Sequence, residues 1–261
     1  MNKDCAVLIL SCDKNEGLLN IFFDFYKKNW PDCPYETYLG IEKKNITYEG
    51  IISLKSNRKP WASRVLDYLN SISAGYVLII LDDFILEEKA ETEEIVKYHE
   101  YMKANDRIVT ISLADIYDKN NYDCEYKGLV RRTKKANYLL NMQVGIWNKE
   151  ILKELMRENE SPWQTELYGS IRARKLEDYF FLCLRSDADS PYKYGRGLLM
   201  VRGAWTGKEI KRLGLEKFSD DIFDGKDIIY SEFSSLGLVE RIIRRLNILY
   251  RQILSNFKIY I

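Results

Sequence analysis

The apolar positions of this chain fall into short unbroken runs separated by stretches of helical spacing. The clearest run is Tyr76–Leu86 (YVLIILDDFIL), where six consecutive apolar residues end abruptly on Asp82 and Asp83. An apolar run without polar alternation suits a strand buried on both faces, as in a parallel sheet covered by helices, and brings the acid pair out at its carboxyl end. Ala6–Leu10 reads as a first strand of the same kind, followed by the polar turn Ser11–Gly17 and an amphipathic segment Leu18–Lys28. Tyr35–Leu39 and Ile51–Leu54 read as shorter strands. After Pro60, the segment Trp61–Ser71 sets Val65, Leu66, Leu69 and Ile72 at helical spacing before Gly75 ends it. Glu87–Ala104 predicts a charged surface helix, and Arg107–Leu113 and Asn141–Trp147 predict further strands. Such strand and helix alternation predicts an α/β fold, a doubly wound, mostly parallel sheet flanked by helices.

Composition narrows the setting. A chain of 261 residues holds one α/β domain plus a small extension. Its 40 basic and 39 acidic side chains nearly cancel, which argues against a general nucleic-acid footprint. The five cysteines are odd in number, scattered and without a C-x-x-C, so neither a disulfide framework nor a zinc site is expected, and a reducing cytoplasm fits. The first strand begins too early for a secretory h-region, and no segment reaches the roughly 18 apolar residues of a membrane span. No P-loop or G-x-G-x-x-G occurs. The lone histidine, His99, lies in the charged helix and reads as a surface or half-buried residue, which leaves histidine-based nucleophilic sites without support.

The chemistry therefore centres on Asp82 and Asp83. The carboxyl edge of an open α/β sheet is where ligands bind, and two carboxylates there suit a hard divalent cation that bridges to phosphates. The same pair also reads as an ordinary polar turn.

Several short motifs carry a resemblance. Ser11-Cys12-Asp13 follows the first strand, Trp61-Ala62-Ser63-Arg64 opens a helix, and Tyr76–Phe84 carries the acid pair. Ser161-Pro162-Trp163-Gln164-Thr165-Glu166 and Gly203-Ala204-Trp205 come later. In this order they resemble bacterial GT-A-fold glycosyltransferases that build capsular or other surface polysaccharides. The resemblance spans residues 5–215.

The resemblance implies an inverting enzyme that uses a nucleotide-sugar donor, most simply a UDP-sugar. It implies Asp83 as ligand of a Mn²⁺ or Mg²⁺ acting as Lewis acid at the diphosphate, with Asp82 near the donor ribose or sugar. The two acids are adjacent here, a departure from the family's Asp-x-Asp that leaves metal dependence open. By the same resemblance Asp13 contacts the base or ribose and Arg64 the donor phosphates, which a guanidinium pairs bidentately. Glu166 is the implied general base for the acceptor hydroxyl, and Trp163 an apolar floor for an acceptor sugar. Each has a plainer reading: Asp13 as a turn or cap residue, Arg64 as a solvated side chain, and Ser161–Glu166 as a capped helix start, with Glu177 or Asp178 as the base. A saccharide, carried on a polyprenyl diphosphate, is the implied acceptor.

Near the end of the chain, Val239, Ile242, Ile243, Leu246, Leu249, Tyr250, Ile253 and Leu254 share one helical face, with Arg241, Arg244, Arg245 and Arg251 opposite. Such a helix suits an anionic membrane interface and equally suits docking on its own domain. The expected organisation is a catalytic domain 1–215 and a helical extension 216–261, cytoplasmic and peripheral on the inner membrane face. Two other functions stay open. One is a catalytically inactive, membrane-associated scaffold partner. The other is a sugar-nucleotide pyrophosphorylase, against which Ser11–Gly17 offers only one glycine.

Overall fold

The structure is a computed structural model and describes residues 2–116, 121–195, 199–201, 203–217 and 227–229. The first half alternates as the sequence predicts: β1 (Asn2–Leu10), α1 (Glu16–Asn29), β2 (Tyr35–Ile41), β3 (Ile51–Lys55), α2 (Trp61–Ser71), β4 (Tyr76–Leu81), α3 (Thr92–Ala104) and β5 (Ile108–Asp115). Then follow β6 (Tyr122–Asp123), β7 (Leu129–Arg131), β8 (Gly145–Asn148), α4 (Lys149–Leu155), α5 (Pro162–Ala173) and β9 (Phe180–Leu184). The remaining described elements are β10 (Met200–Val201), β11 (Ala204–Thr206), α6 (Gly207–Arg212) and β12 (Ile228–Ile229).

Nine strands form one sheet in the order β3-β2-β1-β4-β8-β5-β9-β7-β6, and β10, β11 and β12 form a second, small one. β3, β2, β1 and β4 are mutually parallel; β8 runs antiparallel between β4 and β5, and β9 is parallel to β5. β7 is antiparallel to both β9 and β6. Only β8 and β7 therefore oppose the common direction, and the sheet is mostly parallel.

The unbroken apolar runs follow from burial on both faces. Along β1, Val7 and Ile9 join one core with Leu18, Phe22 and Tyr26 of α1 and Ile95 and Tyr98 of α3. Their neighbours Ala6, Leu8 and Leu10 join the other, with Ala62, Val65 and Leu69 of α2 and Leu152 and Leu155 of α4. Adjacent strand residues point to opposite faces, so a doubly covered strand has no place for polar alternation.

Two expectations are corrected. The helix predicted from Glu87 begins only at Thr92, because Glu87–Glu91 is tied to residues 191–193 instead: the Glu87 N–H donates to the Lys193 carbonyl and the Glu91 N–H to the Pro191 carbonyl. His99 is not at the surface but fully buried, its ring against the edges of Tyr35 and Tyr76. The charged character of α3 belongs to its outer face, while Ile95, Tyr98, His99 and Met102 face the sheet. The Leu238–Leu254 segment lies outside the described residues.

Candidate active site

β4 stops at Leu81, and Asp82 and Asp83 occupy the turn beyond it. The Asp82 N–H donates to the Leu10 carbonyl, continuing the pairing of β1 and β4 by one residue. Its carboxylate accepts from the Ser11 hydroxyl at 2.5 Å and from the Asn15 amide at 3.0 Å. Asp82 thus cross-ties the ends of two strands and is only 8% exposed.

Asp83 stands differently. No described residue gives its carboxyl a side-chain hydrogen bond or an ionic partner. Burial, and then the charge of Asp82, push it up to about 7. Both causes penalise the ionised form, and a bound cation would relieve both. Among the described residues no group of three or more metal-ligating side chains converges, so the acid pair would hold an ion together with water and substrate oxygens. That donor set fits Mg²⁺ or Mn²⁺, hard ions that keep several waters and bind through one or two carboxylates plus phosphates.

Glu166 arrives at the same edge by another route. Ser161 caps α5, accepting from the Gln164 N–H at 3.3 Å while the Gln164 side chain accepts from the Ser161 N–H at 2.9 Å. The capping box therefore closes on Gln164, and Glu166 takes no part in it. Its Oε1 accepts from the Met142 N–H at 2.8 Å, and burial raises its pKa against the opposing effect of that bond. Met142 belongs to the segment entering β8, whose Gly145 pairs with Ile79 of antiparallel β4. The segment before Gly145 continues past Ile79 in the direction of the end of β4, and Glu166 is tied to that segment. Trp163, one turn earlier on α5, is 76% exposed. The other candidate bases sit elsewhere: Glu177 and Asp178 precede β9, which runs with β4, so they lie at its amino end. Asp178 is also paired with Arg107 at 3.1 Å.

Asp13 and Arg64 converge on Glu42. The Asp13 carboxylate accepts backbone N–H bonds from Glu42, Lys43 and Lys44 at 2.9–3.2 Å, which anchors the chain leaving β2. The Arg64 guanidinium lies 3.3 Å from the Glu42 carboxylate and donates to the carbonyls of Arg58 and Lys59. Beside them, an open groove of about 460 Å³ is lined by Glu42, Lys43, Lys55, Ser56, Asn57 and Asp67, at the carboxyl ends of β2 and β3. Of the expected site residues, Asp82 is bonded to Ser11 and Asn15, Asp13 and Arg64 meet at Glu42, Glu166 is tied to Met142, Asp83 is half-buried and Trp163 is exposed.

Sequence reasoning passed over Gln143 and Tyr194. The Tyr194 ring packs on Phe84 at a tilt of 32° with centroids 4.7 Å apart, and its hydroxyl donates to Gln143 Oε1 at 2.6 Å. Tyr194 is fixed by a bridge to Leu86 and by the Glu87–Lys193 bond. Arg212 of α6 grips Glu87 through two bonds of 2.6 Å, and a Cβ on Gly195 would come within 2.2 Å of that ion pair. A polar residue opening the apolar run Val144–Trp147 was the one signal available for Gln143; for Tyr194 there was none.

No family model matches the chain, and no curated protein sequence does. Among solved structures it is similar to S. aureus TarS 1-349, at TM-score 0.46 and 12% identity over 71% of this chain and 59% of that one. The same TarS fragment in complex with UDP aligns at TM-score 0.45 and 11% identity, again over 71% and 59%. A cytidylyltransferase from Leptospira borgpetersenii serovar Hardjo-bovis aligns at TM-score 0.43 and 11% identity, over 88% of this chain and 100% of that one. The chain spans 59% of the length of the TarS fragment.

Proposed function

We propose that this protein is a glycosyltransferase that moves a sugar from a nucleotide-sugar, most simply a UDP-sugar, to a saccharide acceptor with inversion. The observation that carries this reading is Asp83, a carboxyl without a side-chain partner among the described residues, pushed up to about 7 at the carboxyl end of an interior strand. A carboxyl so placed gains most from a cation, and Asp83 beside Asp82 would hold Mn²⁺ or Mg²⁺. When bound, that metal supplies charge neutralisation for the departing diphosphate.

The chain's own residues supply the rest. Glu166 has Oε1 tied to the Met142 N–H, which orients the carboxylate, and its second oxygen takes the acceptor hydroxyl's proton. Its burial raises its basicity, as a base working near neutral pH requires. Trp163 offers an exposed ring for the apolar face of an acceptor sugar. Asp13 and Arg64 shape the donor end of the edge, and Arg64 would exchange Glu42 for a phosphate oxygen. A lipid-linked acceptor in surface-polysaccharide assembly, reached from the cytoplasmic membrane face by the arginine-rich segment, completes the reading.

The test is a thermal-shift panel of UDP-, GDP-, CMP- and dTDP-sugars with and without MnCl₂. Stabilisation by one nucleotide class that grows with the metal is expected. No shift with any of them would sink the reading and favour an inactive scaffold. Release of pyrophosphate from a nucleoside triphosphate and a sugar phosphate would make the protein a sugar-nucleotide pyrophosphorylase instead.

A further inference from the structure

We infer that the Gln143 carboxamide donates a hydrogen bond to a hydroxyl of the donor sugar, in an orientation set by Tyr194. The inference rests on the nucleotide-sugar reading and adds a specificity residue to it. Gln143 stands next to Met142, whose N–H holds Glu166, and at the edge where β4 delivers Asp83. Its side-chain oxygen is occupied by the Tyr194 hydroxyl at 2.6 Å, while no described residue accepts from its side-chain NH₂. A partly exposed amide with its oxygen bound and its N–H groups available is a donor of fixed orientation, suited to a hydroxyl oxygen.

Tyr194 is built to keep it so. Its ring packs at a tilt on Phe84, the residue after Asp83, and its backbone is bridged to Leu86. The Tyr192 hydroxyl donates to the Phe84 carbonyl at 3.1 Å, and the Arg212–Glu87 pair closes the other end. Because this arm connects Gln143 to the chain directly after Asp83, the sugar it meets is the one on the diphosphate. Sites that hydrogen-bond a hydroxyl discriminate strongly against ligands that lack it, since their own polar groups are then left unpaired.

The experiment is calorimetric titration of the full chain, in MnCl₂, with UDP and with UDP-glucose, UDP-galactose and UDP-N-acetylglucosamine. The measured quantity is the affinity of the tightest UDP-sugar relative to UDP. Gln143→Met should lower that ratio about fivefold with UDP affinity unchanged, the size of one neutral hydrogen bond. Tyr194→Phe, which leaves the amide but frees it to rotate, should lower it about two- to threefold. Unchanged affinities in Gln143→Met, or equal losses for UDP and UDP-sugar, overturn the inference and leave the glycosyltransferase reading standing. A parent protein that binds none of these UDP-sugars overturns the inference, and the panel of other nucleotide-sugars then decides the wider reading. Should Gln143→Met melt well below the parent, Tyr194→Phe decides by the same ratio.

Discussion

The Ser11 hydroxyl donates to the Asp82 carboxylate at 2.5 Å, joining the end of β1 to the end of β4 across the candidate site. This bond separates the roles of two adjacent acids. Asp82 is held by Ser11 and Asn15 as part of the frame, whereas Asp83, one residue on, has no such side-chain donors among the described residues and carries the raised pKa.

Asp83 should make stability fall as pH rises. Its folded pKa of about 7 exceeds the ordinary carboxylate value of 3.8, so between those pH values the folded state binds more protons than the unfolded state. Stability then declines with pH across that window. Asp83→Asn should flatten this part of the pH profile, stabilise the protein above pH 7 by up to about 4 kcal/mol, and abolish stabilisation by MnCl₂. Urea melts between pH 4 and 8 check this; a mutant with the parent's slope and the parent's response to metal would refute it.

Glu166→Gln should keep nucleotide-sugar binding and lose about 10²- to 10⁴-fold in turnover, the usual cost of removing a general base. Asp178→Asn, at the opposite edge of the sheet, should leave turnover near the parent's. Steady-state transfer assays distinguish them, and the reverse pattern would move the base to Asp178.

His99 gives the opposite pH trend. Its burial lowers its pKa below the ordinary 6.5, and neither ring nitrogen has a partner among the described residues. The unfolded state therefore binds the proton more readily, and stability is lost as pH falls below about 6.5. His99→Leu should remove this acid-side loss and be neutral or stabilising at pH 7.5, because it replaces an unsatisfied polar ring with an apolar one. Melting curves from pH 5 to 7.5 provide the measurement, and an unchanged acid-side slope in the mutant would contradict it.

Arg244 and Arg245 test the membrane reading. Each basic residue near an anionic surface contributes about 1 kcal/mol, so replacing both with Glu should sharply reduce co-sedimentation with phosphatidylserine-containing liposomes. Binding by the parent should weaken with salt. Equal sedimentation of mutant and parent would show that charge does not hold this segment at a membrane.

What was legible in the sequence was whatever leaves a local trace. Runs such as Tyr76–Leu81 announce strands covered on both faces, and the sequence itself sets Asp82 and Asp83 just beyond the end of such a strand. Trp61–Ser71 was predicted with the bounds it has, since its apolar spacing and its preceding proline are both local. The antiparallel insertion of β8 was not legible, because strand direction is set by where the chain returns and leaves no mark on four residues. His99 was misjudged for a related reason: a helix rich in charge on one face still turns its other face to the core.

The meeting of Glu166 with the segment before β8, the capture of Asp13 by three backbone N–H groups, and the Phe84–Tyr194–Gln143 arm all join residues far apart in sequence. Residue types and spacing determined the fold class and which acids stand at a strand end. Tertiary packing alone decided which acid is bonded into the frame and which has no side-chain partner among the described residues, because desolvation and hydrogen bonding depend on neighbours that only the folded chain assembles.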